Sequence, residues 1–473
     1  MSVCLAIDQG TTGTKAYRWQ AGGAIAPVGS LTHRQIHPRP GWVEHDPHEL
    51  LSHIRTLIGA APDAALLGLA NQGETVVAWH ATTREPLANA IVWQDLRTTE
   101  MVERLRADGA EALTLERAGL PLDAYFSASK LRWLLDHVPD ARALAARGLL
   151  KLGTSDAWFL DCLTGHATTD VATASRTSLM DIRHGTWDDD LCALFGIPME
   201  CLPTIRRTDG PFGGVAGGPA IAASIVDQQA SLYGHGCRAP DAVKITFGTG
   251  AFVLGLTGRT PLVNADSGLL ATVAWDFDGA THYALDGGVL CAGAAVDWGR
   301  SVGVIDTNAP AWDRTRTCAE RGLFFVPALN GLGAPTWRRD VRGSWTGLER
   351  STGREDLGRA IWEGVGLRAR QVVKAFEQAQ GRPVSRLSID GGLTRNESFR
   401  AFLADLFAME VQYVDHADLT ASGLLGLCAR NASLGGEPPV DWRMAIPQHA
   451  VPERAIAAFD ALTGVGQPDG KCA

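Results

Sequence analysis

Apolar residues along the chain fall into two alternating rhythms. Compact apolar runs are followed by longer stretches in which apolar positions recur every three or four residues. The first rhythm predicts buried strands and the second amphipathic helices. Residues 3–7 predict a strand, and a run through Ala16, Tyr17 and Trp19 predicts its hairpin partner. The small, polar segment Asp8-Gln9-Gly10-Thr11-Thr12-Gly13-Thr14 lies between them. The device returns in the second half of the chain, where residues 242–247 and 251–256 predict strands around the turn Gly248-Thr249-Gly250. Helical spacing is plain at 129–137, with Leu131, Leu134 and Leu135, and at 356–376, with Leu357, Ile361, Val365, Val372 and Phe376. The alternation predicts an α/β chain, and the repeated hairpin predicts two similarly built lobes. Residues 209–224 are rich in Gly, Ala and Pro, and Gly234-His235-Gly236 follows. The change of lobe is therefore expected near residue 240, giving lobes 1–240 and 241–473. Residues 464–473 read as a frayed tail.

Composition narrows the picture. The chain has 473 residues, ample for two cores, and its 45% hydrophobic and 20% charged residues exclude a disordered chain. Its net charge of −9 and lack of a basic run argue against a nucleic-acid partner. No apolar stretch approaches the roughly 18 residues of a membrane span. The N-terminus reaches Asp8 too soon for a secretory leader, so a cytoplasmic location is expected. Nine cysteines without a C-x-x-C pair, and histidines without H-x-x-x-H spacing, predict neither a disulfide framework nor a structural metal.

Three Gly-rich points can approach phosphate closely. In Asp8-Gln9-Gly10-Thr11-Thr12 the turn amides and threonine hydroxyls suit phosphate oxygens, and a strand-end carboxylate suits Mg²⁺ held through water. A plain hairpin turn accounts for the same residues. Gly248-Thr249-Gly250 is similar. At Asp390-Gly391-Gly392-Leu393-Thr394-Arg395-Asn396 a strand ends before a helix whose apolar face is Phe399, Phe402, Leu403 and Leu406. Such a turn fits phosphate or adenosine binding, or a simple Asn cap. No G-x-x-x-x-G-K-[ST] loop and no H-R-D or D-F-G element occurs, so a nucleotide site must be of another design. Asp227-Gln228 follows the apolar run 221–226, where an acid can serve as general base or as helix cap. Asn71-Gln72-Gly73-Glu74-Thr75 reads as a polar loop able to line a pocket.

In collinear order, these pieces resemble the FGGY carbohydrate kinases, and within them the glycerol kinase branch. Residues 125–137 (Tyr125-Phe126-Ser127-Ala128-Ser129-Lys130-Leu131 onward) resemble the first family signature. Gly343-Ser344-Trp345-Thr346-Gly347-Leu348, with residues 356–363, resembles the second. Further similar stretches begin at Pro40, Ala90, Ala174 and Gly331. The resemblance implies two actin-like ATPase (ribonuclease H-like) lobes around a cleft. It also implies ATP and Mg²⁺ as cofactors, a small polyol or sugar as substrate, and a dimer or tetramer. It implies Asp8 as the Mg²⁺-associated carboxylate and Thr11, Thr12 and Lys15 at the first phosphate loop, Lys15 standing where Arg is common. Thr249 and Gly250 are implied at the second loop, and Gly293, Gly392 and Asn396 at the nucleotide. Asp227 is implied as general base, and Glu74, Trp93, Tyr125, Gln228 and Phe252 as polyol contacts.

Besides Lys15, three positions and one loop depart from the family pattern. Gly73 replaces an arginine that binds substrate hydroxyls, which predicts room for a larger substrate or water. Val226 replaces glycine before the catalytic acid, and Asp297 replaces a nucleotide-side glutamine. The Gly-rich allosteric loop is short around 210–220. Expected is transfer of the ATP γ-phosphoryl group to a terminal hydroxyl of glycerol or a related small polyol. A pentulose or tetritol is the alternative that Gly73 favours.

Overall fold

The computed structural model describes residues 2–306, 312–415 and 418–465. Most of the expected tail, residues 466–473, lies outside the described residues. The first hairpin forms as expected, from β1 (Val3–Gln9) and β2 (Gly13–Gln20). With β3 (Ala26–Thr32), β4 (Ala64–Asn71) and β5 (Ala220–Val226) it makes a sheet of order β5-β4-β1-β2-β3. The three strands of the β1–β3 side are antiparallel, while β1, β4 and β5 run parallel. The central strands β1 and β4 are apolar nearly throughout, as buried parallel strands require.

The second sheet repeats this plan. Its strands are β6 (Ala242–Phe247), β7 (Ala251–Gly258), β8 (Leu270–Phe277), β9 (Ala280–Val289), β10 (Arg386–Asp390), β11 (Val411–Tyr413) and β12 (Arg443–Ala445). They lie in the order β8-β9-β7-β6-β10-β11-β12. Within it β9-β7-β6-β10-β11 has the same two antiparallel and then two parallel pairings as β3-β2-β1-β4-β5. β8 and β12 are added at the edges. A smaller four-stranded sheet, containing Val76–His80, Ala90–Ile91 and Leu150–Thr154, is built onto the first half.

The expected helices appear as α1 (Ser127–His137), α4 (Arg354–Gln380) and α5 (Glu397–Phe407). Three more matter here: α2 (Asp227–Gly234), α3 (Gly293–Ser301) and α6 (Leu419–Asn431). Two Gly-rich stretches near the expected change of lobe take part in the packing. Residues 210–219 bury Phe212 and tie through a Gly214–Ala220 bridge into β5. Gly234 ends α2, where that helix crosses α6 backbone to backbone. A Cβ on Gly234 would overlap the Leu419 carbonyl, and one on Gly423 the Ala230 carbonyl. α6 also packs on β1, β4 and β5, and Cys428 Sγ would lie 2.9 Å from a Cβ on Gly68. One apolar cluster thus runs from Ala6, Ala70 and Ile225 through Leu424 and Leu427 to Val243 and Phe247.

The eight described cysteines are free, and all but Cys162 are buried. No helix among the described residues is long and apolar enough to cross a membrane. Gly423→Ala should lower stability by about 1–3 kcal/mol, because the crossing has no space to yield. Gly435→Ala, with nothing within 4 Å of its added carbon, should change it by less than about 0.5 kcal/mol. Equilibrium urea unfolding of both variants checks the difference.

Candidate active site

Polar residues end the parallel strands on the same side of the first sheet. Asp8 pairs in register with Ala70, Gln9 with Asn71, and Asn71 with Val226, the residue before Asp227. Carboxyl ends of parallel strands are where ligands bind in open α/β sheets. The polar loop 71–75 is buried, with Asn71, Gln72, Glu74 and Thr75 all shielded from solvent. Glu74 adopts a left-handed backbone with φ 57°, a conformation that a non-glycine residue holds only when its surroundings fix it. Here Arg176 Nε donates to Glu74 Oε1 at 2.6 Å, and Ser127 Oγ donates to the Glu74 carbonyl at 3.3 Å.

Around Glu74 stand three rings. Trp93 meets Tyr125 edge-on, with centroids 5.7 Å apart, and Phe252 at 6.3 Å. Trp93 and Tyr125 come from the first half, and Phe252 from β7 of the second sheet. Trp93 Nε1 donates to Thr11 Oγ1 at 2.9 Å, joining this pocket to the turn between β1 and β2. His33 fixes the same turn through the Thr11 carbonyl, 2.9 Å from Nε2. Thr12 beside it is exposed.

Asp227 is the first residue of α2, and Val226 holds the cap position, so the acid is not spent as a helix cap. One oxygen accepts from the Gln228 amide at 2.7 Å. Burial, then the nearby Glu74 charge, pushes its carboxyl up to about 7, against the opposing pull of Lys244. Lys244 lies buried in β6 and donates to Gln228 Oε1 and, at 2.9 Å, to Thr246 Oγ1. Burial lowers its ammonium below the usual range.

The Gly-rich points of the second half converge. Gly293, opening α3, donates its amide to the Gly248 carbonyl at 2.9 Å, and the Thr249 carbonyl accepts from Ala292 and Ala294. Gly250 leads into β7, where a Cβ would meet the Val289 carbonyl at 2.8 Å. Gly391, with φ 96°, lies against the backbone of Phe247, and Gly392 beside it faces open space. Asn396 caps α5, accepting from the Phe399 amide at 3.0 Å. Asp297 stands apart: it is exposed and paired with Arg300 at 2.7 Å.

Asp8 has a buried oxygen, Oδ1, with no protein donor. Burial, then the neighbouring charges of Asp418 and Asp227, raises its carboxyl well above the usual range, while Lys15 opposes. Lys15 is itself held by Asp418, 3.2 Å away, and Asp418 caps α6. No three acids among the described residues are grouped to hold a metal together, but a single unpartnered carboxylate oxygen suits a hard divalent cation that keeps most of its water.

The family models match here in succession: the FGGY family of carbohydrate kinases, N-terminal domain, over residues 3–226, and its C-terminal domain over 243–432. The chain belongs to the FGGY family of carbohydrate kinases. A glycerol kinase of Alkalilimnicola ehrlichii is 43% identical over 456 residues, covering 93% of this chain and 92% of that protein. One of Thermus brockianus is 42% identical, with 94% and 93% covered. Among solved structures, Plasmodium falciparum glycerol kinase with ADP superposes with a TM-score of 0.88 at 28% identity, 98% of each chain covered. A gluconate kinase of Lactobacillus acidophilus shares the fold, with a TM-score of 0.85 at 20% identity, over 98% of this chain and 96% of that one.

Sequence reasoning left Lys244, Asp418, Arg176 and Asp286 outside the site of this FGGY kinase. A lysine inside the apolar run 242–247, and an acid before Gly287-Gly288 in β9, were signals available for two of them. The Gly73 expectation is corrected. A Cβ at Gly73 would lie 2.8 Å from Val226 Cγ2, so the space a side chain would enter is occupied by valine. The two departures from the family pattern are one steric unit. Gly73→Ala should therefore cost about 1–3 kcal/mol alone. It should cost at least about 1 kcal/mol less when combined with Val226→Gly. A double-mutant cycle of unfolding free energies measures that coupling.

Proposed function

We propose that this kinase transfers the γ-phosphoryl group of ATP to a terminal hydroxyl of glycerol or a closely related small polyol, giving the polyol phosphate and ADP. The bond from Trp93 to Thr11 carries the reading, because it fastens a ring-walled polar pocket to a phosphate-type turn. The contact of Val226 with the position of a Gly73 Cβ favours a small polyol, since it removes the room that the glycine would otherwise leave. The name shared by the relatives above 40% identity supports the same substrate. On this reading residues 1–240 form the lobe with the polyol pocket and 241–473 the nucleotide lobe.

Each residue then has a chemical task. Trp93, Tyr125 and Phe252 exclude water and orient the polyol, while Glu74 and Gln228 hold its hydroxyls. Asp227 accepts the proton of the attacking hydroxyl as oxygen bonds to the γ-phosphorus. The bridging P–O bond breaks, and ADP leaves with the electron pair. Backbone amides around Thr11, Thr12, Thr249 and Gly250, with Lys15, hold phosphate oxygens. Gly293, Gly392 and Asn396 shape the nucleotide site. Asp8, with its unpartnered oxygen, would hold Mg²⁺, which when bound neutralises charge on the transferring group.

A panel of glycerol, tetritols and pentuloses, with ADP release as readout, tests the substrate. Glycerol-dependent release is expected; release without any polyol, or faster release with a pentulose, would count against it. Asp227→Asn should lower kcat by about a hundredfold or more, measured on protein whose circular dichroism matches wild type. The base must be ionised to act. Log kcat/KM for glycerol should therefore rise with pH below about 7 and level off above it. A flat profile between pH 5.5 and 8 (about one to two units either side) would remove Asp227 from that role.

A further inference from the structure

One cation of this pocket has no task in the transfer just described. Arg176 is buried, its side chain only 4% exposed, and it lies between the two lobes. Its Nε reaches Glu74, and Nη2 lies 3.0 Å from Asp286 Oδ2 on β9. The same guanidinium stands 5.9 Å from the centre of the Tyr125 ring. Two atoms of this ion pair remain without a protein partner, both buried: Arg176 Nη1, a donor, and Asp286 Oδ1, an acceptor. A buried donor or acceptor left unmatched costs about 1–3 kcal/mol. An alcohol hydroxyl matches both at once, since it accepts on oxygen and donates its own proton.

We propose that Arg176 and Asp286 are polyol-binding residues that together read a hydroxyl other than the one phosphorylated. The assignment rests on the polyol-kinase reading above. With Val226 against Gly73, the guanidinium that reaches Glu74 in this pocket is that of Arg176. Because Asp286 belongs to the second sheet, the hydroxyl-reading pair is complete only with both lobes in place. Recognition of the polyol and closure over it are then one event.

The test compares wild type, Arg176→Lys and Asp286→Asn on glycerol, propane-1,2-diol and propane-1,3-diol. All three keep a terminal hydroxyl to receive phosphate, and each diol lacks one of the others. On glycerol both variants should lose about 10- to 100-fold in kcat/KM, mainly through KM. KM for ATP should stay within about twofold. On the diol lacking the hydroxyl that is read, wild type should already be weak and the variants should lose no more than about threefold further. An equal loss on all three substrates would make the pair a purely structural tie and overturn the proposal. Wild type inactive on all three would overturn the polyol reading, and this assignment with it. If Arg176→Lys does not fold, Asp286→Asn, which keeps shape and removes charge, decides the question through the same comparison.

Discussion

The crossing of α2 over α6 is the constraint on which the rest of the molecule depends. Two helices can approach backbone to backbone only where both present glycine, and Gly234 and Gly423 do so here. α6 comes from late in the chain but lies against the first sheet. Its close contact with α2 therefore locks together segments hundreds of residues apart in sequence. The benefit is positional. α2 begins with Asp227 at the end of β5, and β5 runs beside β4, which runs beside β1 and Asp8. A tight crossing leaves the proposed general base little freedom relative to the carboxylate proposed for the metal. Geometry held to fractions of an ångström is what phosphoryl transfer by positioning requires.

That rigidity brings like charges together at a cost. Asp8, Asp227, Glu74 and Asp286 lie near one another, with Lys15, Lys244 and Arg176 interleaved. Burial and mutual repulsion raise Asp8 and Asp227, and Asp227 reaches about 7. A carboxyl at that value is a better proton acceptor for an alcohol than an ordinary aspartate, yet still ionised in a large part at neutral pH. The same surroundings make a cation near Asp8 welcome. Electrostatic strain and catalytic readiness are here one property of the site.

Much of this was legible in the amino-acid order. The two hairpins, the helix at Asp356–Phe376 inside α4, and the cap at Asn396 follow from periodicity and turn chemistry, which are local. The Gly-rich segments at 209–224 and 234–236 marked the region of the lobe change, but composition could not show that Gly234 is needed for a close approach of two helices. What holds the polar loop 71–75 could not be read locally, because its partners, Arg176 and Ser127, are distant in sequence. Gly73 looked like free space for the same reason, since the methyl that occupies it belongs to Val226. Local signals reveal elements and motifs. Contacts between them appear only once the topology brings the strands into register.

A polyol sets a particular problem of recognition, because it offers hydroxyls and almost no apolar surface. Hydrophobic burial at roughly 25 cal/mol per Å² gives little for so small a ligand. Hydrogen bonds must therefore discriminate it from water, and they do so only where water is excluded. On the proposed reading Trp93, Tyr125 and Phe252 supply that exclusion, and two of the three are held by the first lobe while the third arrives with β7. Arg176 spans the same gap to Asp286. A pocket whose walls and polar contacts both come from two lobes is dry only when the lobes meet. Its best hydrogen bonds then form at the moment the phosphoryl group is also shielded from water, which favours the polyol over hydrolysis.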